Sequence, residues 1–227
     1  QKAANRFPCD TIAIAEYVLQ NFPIGTYLVT FDRTVIHNVP KAAVLYHPKQ
    51  KEYVFAVIVK SREGERVVEP KNLIGYDPSF VDFDSTKLGT PFFYLLLLQC
   101  VEDNLRLIWE APIPRHGGFN NISLHTWAPK NIQFIRANYH YGSGVGHLNY
   151  NYFFVDGLTE KPHLLMTYDG VNFRRTMANI NDDIYPDYYE HIFYDLGTRI
   201  FSTDSVGFIW KDTAYVNTRN PRQTRPY

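Results

Sequence analysis

The chain has 227 residues with 23 basic and 23 acidic side chains, 45% apolar residues and 16% aromatic residues. This balance excludes a disordered chain, which would have few apolar residues and a high net charge, and it argues against nucleic-acid binding, which depends on an excess of Lys and Arg. The longest apolar run, 91–98, is far shorter than the roughly 20 residues of a membrane-spanning helix.

The first predicted element is a helix close to the N-terminus. Apolar residues at positions 12, 15, 18, 19 and 22 recur with helical spacing. Asp10 stands directly before this run, where its carboxylate can accept hydrogen bonds from first-turn amides, and Pro23 prevents continuation. We predict an N-terminal segment over 1–25 whose helix packs on the main domain.

After residue 25 the pattern changes to short β-branched and aromatic runs separated by turn residues. These runs cover 26–31, 42–46, 53–60, 92–99, 105–110, 122–127, 132–139, 149–155, 163–168, 191–194, 206–210 and 214–217. Such spacing is typical of an all-β protein. We predict a mainly antiparallel β fold, either sandwich-like or one large sheet, with an irregular β-propeller as the alternative. It forms a single domain over 26–217, and residues 218–227 form a mobile tail.

Two of the runs also indicate how their strands are covered. Residues 92–98 are apolar without alternation, which predicts a central strand that is covered on both faces. Residues 149–152 alternate Asn and Tyr, which places the two amides on one face and the two rings on the other. We expect one face of that strand to meet water.

The leading candidate for a functional loop lies at 115–121. Prolines before it and two glycines within it favour an irregular path, and Arg115, His116, Asn120 and Asn121 offer donors to a carboxylate or a sugar hydroxyl. The high tyrosine content adds further candidates, because so many rings with polar tips are not all expected to be fully buried. The tyrosines proposed for a binding surface are Tyr150, Tyr152, Tyr188 and Tyr189.

The densest polar segment covers 179–191. Its four carboxylates, Asp182, Asp183, Asp187 and Glu190, are the oxygen ligands that calcium prefers. The same carboxylates, with His191 and His116, are the residue types that a hydrolase uses as acid and base. A solvated loop without either role is the third interpretation.

These observations lead to a hypothesis about location and function. The chain starts with Gln1 rather than Met, and Cys9 and Cys100 are either bridged or two separate thiols, so we interpret it as a processed protein that is secreted, periplasmic or at the cell surface. The leading hypothesis is a non-catalytic β domain that binds a protein or a glycan through aromatic and Asn-rich loops, without a cofactor. The alternatives are a hydrolase acting through the acidic loop 182–191 and a calcium-stabilised structural module.

Overall fold

A computed structural model describes residues 9–29, 42–61, 91–102, 104–114, 118–141 and 146–227. The chain groups into two compact units, Gln1–Ile122 with Thr159–Lys161, and Ser123–Leu158 with Pro162–Tyr227. The boundary falls inside the single domain predicted over 26–217, so each unit is described by itself.

The first unit begins with helix α1, Thr11–Asn21. The predicted cap is confirmed, because Asp10 Oδ1 accepts a hydrogen bond from the main-chain nitrogen of Ala13 at 2.8 Å. The predicted apolar face is wrong in part. Ile14 and Val18, one helical turn apart, are the buried residues of the helix, whereas Ile12 is 57% exposed and lies off the packed side.

The first unit continues with a five-stranded sheet. Its strands are β1 (Tyr27–Leu28), β2 (Val44–Tyr46), β3 (Tyr53–Ser61), β4 (Pro91–Val101) and β5 (Asn104–Ile113). Strand β4 lies between β3 and β5, while β1 and β2 both pair with the other edge of β3. Leu95, Leu96, Leu97 and Leu98 are fully buried, which confirms the central strand predicted from the unbroken apolar run.

A disulfide joins Cys9, just before the helix, to Cys100 near the end of β4. It closes a loop between residues 91 positions apart. Beside it, the Tyr46 hydroxyl donates a hydrogen bond to the carbonyl oxygen of Cys9 at 2.9 Å. Two long-range links therefore hold the start of the described chain against the sheet of the same unit.

The nine-stranded second sheet is a meander. Its strands are β6 (Gly118–Trp127), β7 (Ile132–Tyr141), β8 (Gly146–Phe153), β9 (His163–Gly170), β10 (Arg174–Ala178), β11 (Asp187–Asp195), β12 (Ile200–Lys211), β13 (Ala214–Asn217) and β14 (Thr224–Arg225). They follow one another in the sheet in the order of the chain. Aromatic side chains fill much of its core, with Tyr188 stacked on Phe208 at 4.8 Å between ring centroids and Tyr215 at 5.0 Å from Tyr188.

The predicted fold class is confirmed: the described chain is mainly antiparallel β with one N-terminal helix. Each of the twelve predicted runs contains a strand, and β10 and β14 are added to them. The β-propeller alternative is not what the described strands form, since nine of them build one continuous sheet. Within the tail predicted to be mobile, β14 pairs with β13, and both Nη atoms of Arg219 contact the Asp204 carboxylate at 2.7 Å.

Candidate functional site

The predicted binding loop at 115–121 lies only partly within the described residues. Arg115 and His116 are outside them. Asn120 and Asn121 belong to strand β6 rather than to a loop, the first half-buried and the second exposed. Of this candidate set, Asn121 is therefore the side chain that the structure places at the surface.

Three of the four tyrosines predicted for a binding surface are buried. Tyr150 and Tyr188 are 0% exposed and Tyr152 is 1% exposed, so this part of the prediction is wrong. The wet face predicted for 149–152 is also wrong at its centre, because Asn151 is 0% exposed. Asn151 is covered by Arg136 and Thr167 on the neighbouring strands, to which its side chain is hydrogen-bonded, and Tyr150 packs edge-on against Tyr139 on the opposite face. Tyr189, at 40% exposure, remains at the surface.

The four carboxylates of the predicted calcium site are used in four separate contacts. Asp182 pairs with the Lys130 ammonium at 2.6 Å, and Asp183 accepts a hydrogen bond from the main-chain nitrogen of Tyr185 at 2.7 Å. Asp187 and Glu190 turn to other partners. Across the part of the chain that the structure describes, no three His, Cys, Asp or Glu side chains form a group that could hold a metal ion.

Asp187 anchors the segment that precedes β11. The residue is 0% exposed, and its carboxylate accepts main-chain hydrogen bonds from Ile180 at 2.7 Å, Asn181 at 3.3 Å and Trp210 at 3.2 Å. Burial raises the pKa of Asp187, and the three N–H donors act in the opposite direction. Its carboxylate joins the 180–181 turn to β12, which is a structural role.

Glu190 belongs to a buried arginine site that the sequence analysis missed. Arg175 is 4% exposed, and its Nη2 lies 3.0 Å from Glu190 Oε2. The guanidinium carbon lies 4.1 Å from the Tyr188 ring centroid and 4.9 Å from that of Tyr168. Its Nη1 also donates to the carbonyl oxygen of Tyr227 at 3.0 Å, so the cation ties the last described residue to the sheet.

His163 is the centre of an aromatic cluster in the same unit. Its Nε2 and the Tyr215 hydroxyl are 2.7 Å apart, and its ring centroid lies 4.5 Å from that of Trp210 and 5.0 Å from that of Tyr185. Burial lowers the pKa of His163 from 6.5 to about 4, with the nearby Asp183 acting against the shift. The imidazole is therefore neutral at pH 7, and it packs as part of the core.

The surface feature that stands out is the tip of the β11–β12 hairpin, residues 191–204, called here the exposed hairpin. Pairing of β11 with β10 stops at Glu190, and pairing of β12 with β13 begins at Phe208, so the described part of the chain places no outer strand beside either arm of the exposed hairpin. The two arms pair with each other across a register shift after Ile192. The result is a two-stranded ribbon that extends past its neighbours.

The exposed hairpin carries large apolar side chains in contact with water. Their exposed fractions are 36% for Ile192, 44% for Tyr194, 69% for Leu196 and 38% for Ile200, and Tyr189 at its base is 40% exposed. The tip is nevertheless well formed, since Gly197 has the positive φ of 80° that the turn requires and donates its N–H to Asp195 Oδ1 at 2.7 Å. Leu196 is thus held outward by a structured turn.

The base of the exposed hairpin is fixed by ionic contacts. Besides its contacts with both carboxylate oxygens of Asp204, Arg219 donates through Nη2 to the carbonyl oxygen of Ser205 at 2.8 Å. Hydrogen bonds from Arg219 and from the Ser205 amide lower the pKa of Asp204 to about 2. The ribbon is therefore attached firmly to the sheet at one end and projects at the other.

The first unit contains a separate pocket of about 370 Å³ beside the disulfide. The residues that line it are Cys9, Tyr46, His47, Pro48, Lys51, Glu52, Val54 and Cys100. His47 Nδ1 accepts the main-chain N–H of Gln50 at 2.9 Å, whereas its buried Nε2 has no hydrogen-bond partner among the described residues. This pocket brings together none of the residues predicted for binding or catalysis.

Comparisons of the chain with protein-family models, curated proteins and solved structures find no match. In the described residues, no helix is both long and apolar enough to cross a membrane.

Proposed function

We propose that this chain is a non-catalytic binding module that attaches to a protein partner through the exposed hairpin. The observation that carries the proposal is the group of large apolar side chains held in water by a structured ribbon. Large apolar side chains that are held in water are costly, and in soluble proteins exposed apolar surface marks interaction sites. The roles of Asp187 and Glu190 in holding the fold together favour binding over the hydrolase alternative.

The chemistry of the hairpin favours a protein over a glycan. Ile192, Leu196 and Ile200 are aliphatic, so they neither donate hydrogen bonds nor offer a ring on which a sugar can stack. Aliphatic and tyrosine side chains together are typical of the buried centre of a protein interface. Glycan binding is accordingly the outcome that we test against.

The partner that best fits the ribbon is an extended protein segment with apolar side chains. Residues 191–195 follow the last β10–β11 pair at Arg175 and Glu190, and the described residues place no strand on that edge beyond it. The outward main-chain groups of such an edge can form a ladder with an added strand, while side-chain contacts provide selectivity. We propose that the partner adds a strand at this edge and covers Ile192 and Tyr194, which share one face of the ribbon.

The proposed location is an oxidising compartment, at the cell surface, in the periplasm or outside the cell. The support is the Cys9–Cys100 disulfide, because such bridges persist mainly where thiols are not kept reduced.

The proposal can be tested by site-specific photo-crosslinking in the native source. A photoreactive residue in place of Leu196 should capture one discrete protein, whereas the same group in place of Val171, which is 58% exposed on the neighbouring β9–β10 turn, should not. Adding Tyr194→Asp to the Leu196 probe should abolish the adduct. Equal labelling from both positions would refute the proposal, an adduct of two copies of this chain would replace the partner by self-association, and a glycan adduct would reassign the surface.

A further inference from the structure

The acidic residues are distributed unevenly along the chain. Between Glu110 and Asp156 there is no acidic residue, although this stretch includes Lys130 and Arg136 and the whole chain is electrically balanced. Strands β6, β7 and β8 all lie in this acid-free stretch. An arginine or lysine on one of these three strands therefore has no carboxylate on its own strand or on the other two.

Arg136 on β7 is such a cation. It is half-buried, and its Nε donates to Asn151 Oδ1 on β8 at 2.9 Å. The guanidinium lies 5.6 Å from the Phe134 ring centroid. Within the described residues it has no carboxylate partner, and neither Nη group is hydrogen-bonded. Burial lowers the pKa of Arg136, and no carboxylate among the described residues acts against this shift.

A buried amide orients this arginine. Asn151 is 0% exposed, and its Nδ2 donates to the carbonyl oxygen of Leu165 and to Thr167 Oγ1, both at 3.0 Å. Both sides of the Asn151 amide are therefore engaged, so its oxygen can face only the arginine. A guanidinium that is fixed by a satisfied buried network and still has both Nη groups available is preorganised for an external partner.

Uncharged hydrogen-bonding groups flank the guanidinium on the same face. Asn149, two residues from Asn151 on β8, accepts a hydrogen bond from Asn138 Nδ2 at 2.7 Å, and its own Nδ2 donates to no other described residue. On β6, Ser123 Oγ and His125 Nε2 are 2.7 Å apart, and the His125 ring stacks on Phe134 at 5.2 Å. Amides, hydroxyls and imidazoles are groups that hydrogen-bond to sugar hydroxyls.

We infer that this face binds an acidic sugar residue, with its carboxylate on the Nη groups of Arg136 and its hydroxyls on Asn149 and on the Ser123–His125 pair. The planar guanidinium matches a carboxylate in a bidentate arrangement. The row of neutral polar groups favours a sugar, whose hydroxyls can hydrogen-bond to them. An acidic peptide would bring apolar side chains to these groups and leave them without partners. This site is separate from the exposed hairpin and does not depend on its partner.

The test is an NMR titration of the whole chain with D-glucuronate, followed through the side-chain Nε–H signal of Arg136. Glucuronate should shift this signal in a saturable manner, while D-glucose, which lacks the carboxylate, should not. Arg136→Gln should weaken glucuronate binding at least ~10-fold, as expected for loss of a bidentate charge-assisted pair. The matched control is Arg174→Gln, which removes an equal charge from a half-exposed arginine 3.7 Å from Asp169 and should leave binding unchanged.

A second variant keeps the test decisive if Arg136→Gln does not fold. Asn149→Asp retains the acceptor for Asn138 but removes the donor and adds a negative charge beside the guanidinium, so glucuronate binding should again fall at least ~10-fold. The inference is overturned if Asn149→Asp binds like the natural chain, if glucose and glucuronate bind alike, or if no probe shifts the signal. Tighter binding of N-acetyl-glutamate than of glucuronate would overturn the sugar assignment in favour of an acidic peptide.

Discussion

Replacing Asp187 by alanine tests whether this buried carboxylate holds the 180–181 turn against β12. The substitution removes the common acceptor of three main-chain N–H groups, those of Ile180, Asn181 and Trp210. Because Asp187 is 0% exposed, water does not readily take the place of the carboxylate. The three donors are left in a site without an acceptor.

The expected effect follows from the number of N–H donors that lose their acceptor. Each buried N–H without an acceptor costs about 1–3 kcal/mol, so the loss of the acceptor for three of them in Asp187→Ala should lower the free energy of unfolding by about 3–9 kcal/mol. Asp187→Asn should have a smaller effect, because one amide oxygen can still serve the two donors that share Oδ2, while its NH₂ group faces the N–H of Trp210.

The assay is equilibrium urea unfolding followed by tryptophan fluorescence, with Asp182→Asn as the matched control, because Asn tolerates the positive φ of 61° at this position. Asp182 lies in the same acidic segment, but its side chain is 84% exposed and its partner is the Lys130 ammonium at the surface. Such a pair contributes little to stability, so the control should unfold close to the natural chain. If Asp187→Ala destabilises the protein no more than Asp182→Asn does, the structural role assigned to the buried carboxylate is refuted.

Two further predictions concern stability. Replacing Cys9 and Cys100 together by alanine should lower the free energy of unfolding by about 4–5 kcal/mol in the chain-entropy model for a loop of 91 residues, measured by urea unfolding; an unchanged midpoint would contradict it. Burial lowers the pKa of His163 to about 4, so near pH 6.5 the unfolded chain takes up a proton at His163 and the folded chain does not. The contribution of the neutral His163 to the free energy of unfolding is therefore fully present above pH 6.5 and is lost as the pH falls towards 4. In His163→Gln the urea midpoint should change less between pH 6.5 and pH 4 than it does in the natural chain. An equal pH dependence of the midpoint in both proteins would rule out this role of His163.

The sequence alone predicted the elements whose signals are local. The cap of α1 needs only Asp10 ahead of an apolar helical period, and the central strand needs only an unbroken apolar run, so both predictions are confirmed. Strand β10 was missed because Arg174–Ala178 contains two adjacent arginines and no apolar alternation. Its hydrogen-bond partners are in β9 and β11, and a strand that depends on its neighbours leaves little pattern in its own residues.

Alternation along the chain determined which side chains share a face, as with Tyr150 and Tyr152 on β8. It left open which face is covered, because a tyrosine ring suits a core and a surface equally well. Packing between strands decides this: Tyr150 packs against Tyr139 of β7 and is buried, while β11 extends past the end of its pairing with β10 and leaves Tyr194 in water. Burial and charge compensation arise between residues distant in the chain, so only the tertiary structure could place the apolar hairpin and the uncompensated Arg136.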